Sequence, residues 1–338
     1  MKFFFLLATS FIFFLFFKNM DAQVYPDSKV DQYIKTGIEK IIKQEYSSAE
    51  EIFNKLESEY PQLPLGKIYL AALYVTKQKD YAEIINEDYV EKLLNNALKM
   101  CDNLLKKDKN NLWYNYFKAV GEGYYSFFKT EVGSYLSAFS RSGTSVDYYE
   151  KCLEIDTNFY EAYVGIGTYN YWKSKYFDWI PFVSNDRLLG IKQLKIGAAN
   201  ANYSKYFAKN SLMWIYIDKE NFKSAITAAE NALKYYPNNR MFLWGVARAY
   251  EDVNKKKAIE YYYTLLESIM NIPNHNRYFE IEIKHKIAKQ YFELGNNEEA
   301  LKLCNEILSI KGLKKDVKER LEDRLDEVED LRDEILDN

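Results

Sequence analysis

Seven times along this chain a small residue is followed four positions later by a second residue of apolar character, and three positions after that by a third. The sharpest copy is Ala225, Ala229 and Ala232, closed by Pro237; the others begin at Ala49, Ala97, Ser145, Gly190, Ala258 and Ala300. Offsets of four and seven put all three side chains on one face of a helix. Small side chains on such a face let two helices approach closely, and one helix pair cannot bury its apolar surface alone, so the pairs must stack. The copies start 48, 48, 45, 35, 33 and 42 residues apart, which makes the unit about 34 residues with insertions in the first half.

Each motif helix is preceded by another with its own apolar stripe. Leu212 and Tyr216 precede the polar turn Asp218-Lys219-Glu220-Asn221; Val246, Ala247 and Tyr250 precede Asp252-Val253-Asn254; Ile287, Ala288 and Tyr291 precede Gly295-Asn296-Asn297. Short polar loops between two helices predict antiparallel pairs. At 338 residues the chain exceeds the usual single globular core, and a ribbon-like core of stacked pairs accounts for that length. Only 13 Gly and 6 Pro are too few turn-formers for a many-stranded sheet.

Two segments interrupt the pattern. Residues 129–144 carry Gly133, Ser134, Ser140, Ser142, Gly143 and Thr144 around apolar side chains, which predicts a broken or extended second helix. Residues 176–185 are too apolar for a solvated loop and contain Pro181; they either fold back on a helix pair or form a recognition loop. From Asp316 to Asn338 the net charge is -7, yet Val317, Leu321, Leu325, Val328, Leu331 and Ile335 form one apolar stripe. That predicts a capping helix for the last pair, with an acidic partner-binding helix as the alternative.

The N-terminus reads differently. Lys2 is followed by an apolar run from Phe3 to Phe17 and a short polar stretch ending at Ala22, the arrangement of a secretory signal peptide cut before Gln23. As a helix the run reaches roughly 22 Å, short of the ~30 Å hydrocarbon core, which makes an uncleaved anchor the weaker reading. Removing Lys2, Lys18 and Asp21 leaves 44 basic against 48 acidic residues. Such a balance lacks the basic excess that a phosphate backbone demands, so no nucleic-acid partner is expected. Export permits disulfides, but Cys101, Cys152 and Cys304 are odd in number, and each sits within a helical apolar stripe. They are expected to be buried thiols.

Catalytic patterns are missing. His275 and His285 fall in neither an HExxH motif nor a Cys/His cluster, and Gly121-Glu122-Gly123 precedes Tyr124-Tyr125 instead of opening a phosphate-binding helix. No GxSxG or GxxxxGK[ST] occurs, so neither a cofactor nor a metal is expected and the chain reads as a non-enzyme.

Tyr163, Ile166 and Gly167, and again Ile287, Ala288, Tyr291, Gly295 and Ala300, resemble the tetratricopeptide repeat family, and the resemblance covers nearly all of residues 27–310. The repeats are degenerate, with Lys209, Leu243 and Lys284 where the family has a first-helix Trp. The run Leu188 to Leu194 followed by Gly197-Ala198-Ala199 is similar to divergent versions of this repeat in exported bacterial proteins. The resemblance implies an all-α, right-handed solenoid of about seven helix pairs over residues 23–312, after a signal peptide at 1–22 and before a capping helix at 313–338.

It also implies that the inner face of the superhelix is made by fixed first-helix positions. Their transfer selects Tyr171 and Trp172; Phe207, Asn210 and Trp214; Met241, Trp244 and Arg248; and His285, Lys289 and Phe292. The chain is expected to be an exported, periplasmic, envelope-associated or secreted scaffold that holds a protein or peptide in this aromatic groove. A glycan-binding envelope protein, whose Trp and Tyr rings would stack on sugars, and an enzyme with an unrecognised carboxylate pair are the alternatives.

Overall fold

The computed structural model describes residues 23–179 and 184–337, so the apolar run at the N-terminus and residues 180–183 lie outside it. Among the described residues there are sixteen α-helices and no strands. They pair in order: α1 (Ser28–Ile42) with α2 (Tyr46–Glu59), α3 (Leu65–Asp80) with α4 (Glu87–Lys107), α5 (Leu112–Glu131) with α6 (Tyr135–Ile155), and α7 (Tyr160–Tyr176) with α8 (Arg187–Asn200). Then follow α9 (Lys205–Asp218) with α10 (Phe222–Leu233), α11 (Arg240–Glu251) with α12 (Lys255–Met270), and α13 (Tyr278–Glu293) with α14 (Asn297–Leu308). Two closing helices, α15 (Lys315–Arg320) and α16 (Glu322–Asp337), end the chain. Each helix packs on its neighbour in sequence and successive pairs stack, which is a tetratricopeptide-like solenoid.

The small-residue motif marks the packed face of the second helix in every pair. Ala225, Ala229 and Ala232 are fully buried, as are Ala49, Phe53 and Leu56 in α2 and Ala258, Tyr262 and Leu265 in α12. α7 crosses α8 backbone to backbone. A Cβ on Gly190 would stand 2.6 Å from the Gly167 carbonyl oxygen, and one on Gly167 would stand 2.8 Å from that of Gly190. The three cysteines are buried free thiols, and burial pushes Cys101 up to about 12 and Cys304 to about 11.

One turn geometry recurs where a first helix ends. Gln44, Ala82, Gly133, Glu220 and Gly295 each lie two residues past such a helix, and all take positive φ, from 51° to 76°. Only two are glycine, so at the other three the left-handed backbone is held by the packing on either side, against a local penalty of about 1 kcal/mol. Asparagine starts many helices: the side chains of Asn86, Asn111, Asn221, Asn239, Asn254 and Asn296 accept from backbone N–H groups of the first turn.

The insertions of the first half appear as long helices. α4, α5 and α6 run 21, 20 and 21 residues. The Ser- and Gly-containing stretch near 140 is therefore an extended second helix. The C-terminal stripe breaks at Leu321 into two helices instead of one; Val317, Leu321, Val328, Leu331 and Ile335 are buried with α12, α13 and α14 side chains in one cluster.

The ribbon does not stay open. Its first two pairs reach back over the starts of α9, α11 and α13. At one end Asn202 Nδ2 donates to the Gln23 carbonyl at 2.9 Å, Tyr25 N–H to Tyr203 Oη at 2.8 Å, and Tyr203 Oη to Asp31 at 2.5 Å. Further along, Asn239 Nδ2 donates to the Ile42 carbonyl at 2.6 Å, and Asn276 Nδ2 and Arg320 Nη1 each donate to the Ala82 carbonyl at 2.8 Å. Between them sits an ion pair of Asp80 with Arg240, both nearly buried. Val30, Ile34, Trp113, Phe159 and Tyr203, remote in sequence, thereby share one apolar cluster.

Candidate functional site

The odd-numbered helices carry the side chains selected for the inner face, and their surroundings differ from helix to helix. On α7, Tyr171 is buried and donates to Asp218 Oδ2 at 2.6 Å, so its ring is core and not lining. Trp172, half-buried, stacks on Tyr176 with centroids 5.8 Å apart. On α9, Phe207 is exposed while Asn210 and Trp214 are half-buried on the same face, at offsets of three and seven. Asn210 Oδ1 is buried and has no hydrogen-bond donor among the described residues.

On α11 the corresponding face shows Met241, Trp244 and Arg248, all half-buried. Trp244 stands edge-on to Tyr262 at 6.0 Å and to Phe279 of α13 at 5.7 Å, which turns much of the ring toward neighbouring helices. Arg248 is occupied by Asp252 at 2.7 Å and Glu251 at 3.2 Å. On α13, His285 is buried beneath α16, with Arg324 Nη1 3.2 Å from its Nδ1. Burial first, and then Arg324, Lys289 and Lys286, lower its pKa to about 3, so the ring is neutral. Lys289 is exposed and Phe292 is half-buried against the last cluster. Tyr171 and His285 are thus corrected to interior residues. Asp218 and α16, partners that lie beyond their own repeats, bury them.

What the structure does bring together is the run from α7 to α11. α9 packs against both, so Trp172, Phe207, Asn210, Trp214 and Met241 come from three successive contacting helices. Their makeup is aromatic and thioether surface around one unsatisfied amide oxygen. No group of three or more His, Cys, Asp or Glu side chains suited to a metal ion occurs among the described residues.

Two features escaped the sequence. Glu161, buried at the start of α7, accepts from the backbone N–H groups of Asn202 at 2.6 Å, Tyr203 at 2.8 Å and Ser204 at 3.0 Å, and so terminates the start of α9 from a neighbouring repeat. Burial raises its carboxyl, and these donors hold it back. The second is a half-open polar cleft of about 410 Å³ where the α1–α2 turn meets α11 and α12, with Lys43, Gln44, Asn238, Arg240, Glu267 and Asn271 among its walls. Neither has a local signal: Glu161 lies 41 residues from Asn202, and the cleft joins the α1–α2 turn to residues of α11 and α12 roughly 200 positions on.

The fold defines the class: a tetratricopeptide-like α-solenoid. No protein-family model matches the sequence, and no curated protein matches it either. Solved structures do. The chain is similar to YrrB, described as a TPR protein with an unusual peptide-binding site, at 14% identity over 62% of this chain and 92% of that one, with a TM-score of 0.42. It is similar to PilW, a type IV pilus biogenesis factor, at 12% identity over 75% and 98% with a TM-score of 0.49. A human IFIT1 dimer solved with PPP-AAAA aligns at 13% identity over 90% and 76%, with a TM-score of 0.43. These likenesses concern the fold alone.

Proposed function

We propose that this protein is an exported, non-catalytic scaffold that holds a polypeptide segment across the face formed by α7, α9 and α11. The observation that carries this reading is Asn210: a buried amide oxygen without a donor among the described residues, set between exposed Phe207 and half-buried Trp214. An unpaired buried acceptor costs about 1 to 3 kcal/mol, and a turn of the half-buried Asn210 amide toward the open face would let it accept a backbone N–H from an extended peptide and remove that cost. The flanking rings would supply the apolar contact that excludes water around it. The apolar run at residues 3–17 supports export. Carboxylates such as Glu161, Glu122 and Glu280 are engaged by backbone N–H groups or by ion pairs, which supports the non-catalytic reading.

The test is capture from envelope extract by the wild type and by Phe207→Ser and Asn210→Ala variants. A polypeptide retained by the wild type and lost by both variants, with melting temperatures unchanged, is the expected result. Retention by both variants, or capture of a glycan on an array in place of any polypeptide, overturns the reading.

A further inference from the structure

Large apolar side chains crowd one edge of the solenoid, where α5 turns into α6 and α7 into α8. Tyr135 and Leu136 open α6, Tyr176 closes α7 with Trp179 three residues beyond it, and Leu188 and Leu189 lie in the first turn of α8. Leu136 is 90% exposed, Leu188 77% and Trp179 75%. The two turns adjoin, since the rings of Phe139 in α6 and Phe177 after α7 stand 4.6 Å apart. Single exposed leucines are ordinary, but six large side chains on adjoining turns are not.

The charges beside them are one-sided. Within the edge, Arg187 pairs with Asp178, Lys173 with Asp186 and Lys175 with Asp218, and these cancel. Lys192 and Lys195, one and two turns further along α8, are exposed and have no ion pair among the described residues. From Arg187 to Ile217 the sequence has five basic residues and no Asp or Glu. The apolar edge therefore continues into a purely cationic helix face.

We infer that this edge docks on an anionic lipid surface. The side chains are exposed at the ends of adjoining helices, so they suit insertion into a soft boundary better than the grip of a rigid partner. Trp179 Nε1 already donates to the Tyr176 carbonyl at 3.0 Å, so the indole enters the headgroup region with its N–H satisfied. Lys192 and Lys195 then face the phosphates. The N-terminal segment is a separate matter. Gln23 is held by Asp156 and Asn202, where α6 ends and α9 begins, at the opposite end of the 21-residue α6.

The experiment uses the chain from Gln23 onward, which contains the whole described fold, with vesicles of phosphatidylcholine alone or mixed with phosphatidylglycerol. Sedimentation with the anionic vesicles is expected, about thirtyfold stronger than with the neutral ones, which is the share of two lysines near the surface. Lys192→Glu with Lys195→Glu removes the preference for anionic lipid. Trp179→Ser with Leu188→Ser lowers binding to both vesicles and leaves the melting temperature unchanged, and Trp179 fluorescence in a Trp-to-Phe background shifts to the blue on binding. Absence of sedimentation, equal binding to both vesicles, or unchanged binding by the serine variant overturns the inference. So does self-association of the chain that the serine variant abolishes, since the edge would then be an interface between copies.

Discussion

Replacing Asp80 by Asn should open the closed solenoid. Arg240 Nε donates to Asp80 Oδ1 at 2.8 Å and Nη2 pairs with Oδ2, while Tyr46 Oη also donates to Asp80 at 2.7 Å. The side chains of Arg240 and Asp80 are 8% and 11% exposed, so the pair is largely out of water. Its net worth is small, because desolvation of two ions offsets most of their attraction. Breaking it is another matter. Asn cannot balance the charge of Arg240, whose other side-chain hydrogen bond goes to Ser268 Oγ at 3.1 Å, and an uncompensated buried charge costs about 3 to 5 kcal/mol. Arg240→Met should cost a similar amount, because it leaves Asp80 buried with Tyr46 but without its cation. Asp80→Leu with Arg240→Met removes both charges and should recover most of the loss, within about 1 kcal/mol of the wild type. Urea unfolding supplies the cycle, and hydrogen exchange locates it: amides near residues 42–46 and 239–243 should lose protection while those of α12 and α14 keep theirs. If Asp80→Asn stays within about 1 kcal/mol of the wild type and exchange at the α1–α2 turn is unchanged, the pair does not hold the first helices in place and the closure rests on the hydrogen bonds of Asn239 and Asn276 instead.

Gly190→Ala sets a Cβ 2.6 Å from the Gly167 oxygen and 2.9 Å from Tyr171 N, backbone atoms that cannot rotate away. Overpacking of about 3 kcal/mol, less about 1 kcal/mol from the better helix preference of alanine, predicts a net loss near 2 kcal/mol in urea; a stabilised variant would refute the crossing. His285 gives a pH dependence. With its folded pKa at about 3 and an unfolded value near 6.5, the unfolded chain takes up a proton that the folded chain refuses, so stability falls as pH drops from about 6.5 toward 3. Between pH 7 and pH 4.5 the wild type should lose roughly 2 to 3 kcal/mol more than His285→Gln, and equal losses would show that the ring is not held neutral. Trp244→Ala, which empties the space between Tyr262 and Phe279, should cost about 3 kcal/mol by thermal or urea unfolding; an unchanged midpoint would return that ring to the binding face.

Much of this fold was legible in the residues alone. Offsets of four and seven, with alanine or glycine at the crossing, name the packed face of each second helix because helical periodicity is a local property that every copy repeats. The three thiols were readable as core for the same reason. What could not be read was whether a face meets solvent, a neighbour or a distant part of the chain. Tyr171 is buried because Asp218, 47 residues on, accepts its hydroxyl hydrogen bond; His285 is buried because α16 returns over α13. The left-handed turns at Gln44, Ala82 and Glu220 carry no glycine to announce them. Closure through Asp80 and Arg240 joins residues 160 apart. Each stacked pair adds a small rotation to the next, and the sum over several pairs decides which remote surfaces meet. Periodicity determines the unit, and that accumulated curvature, held by contacts no local pattern encodes, determines the shape.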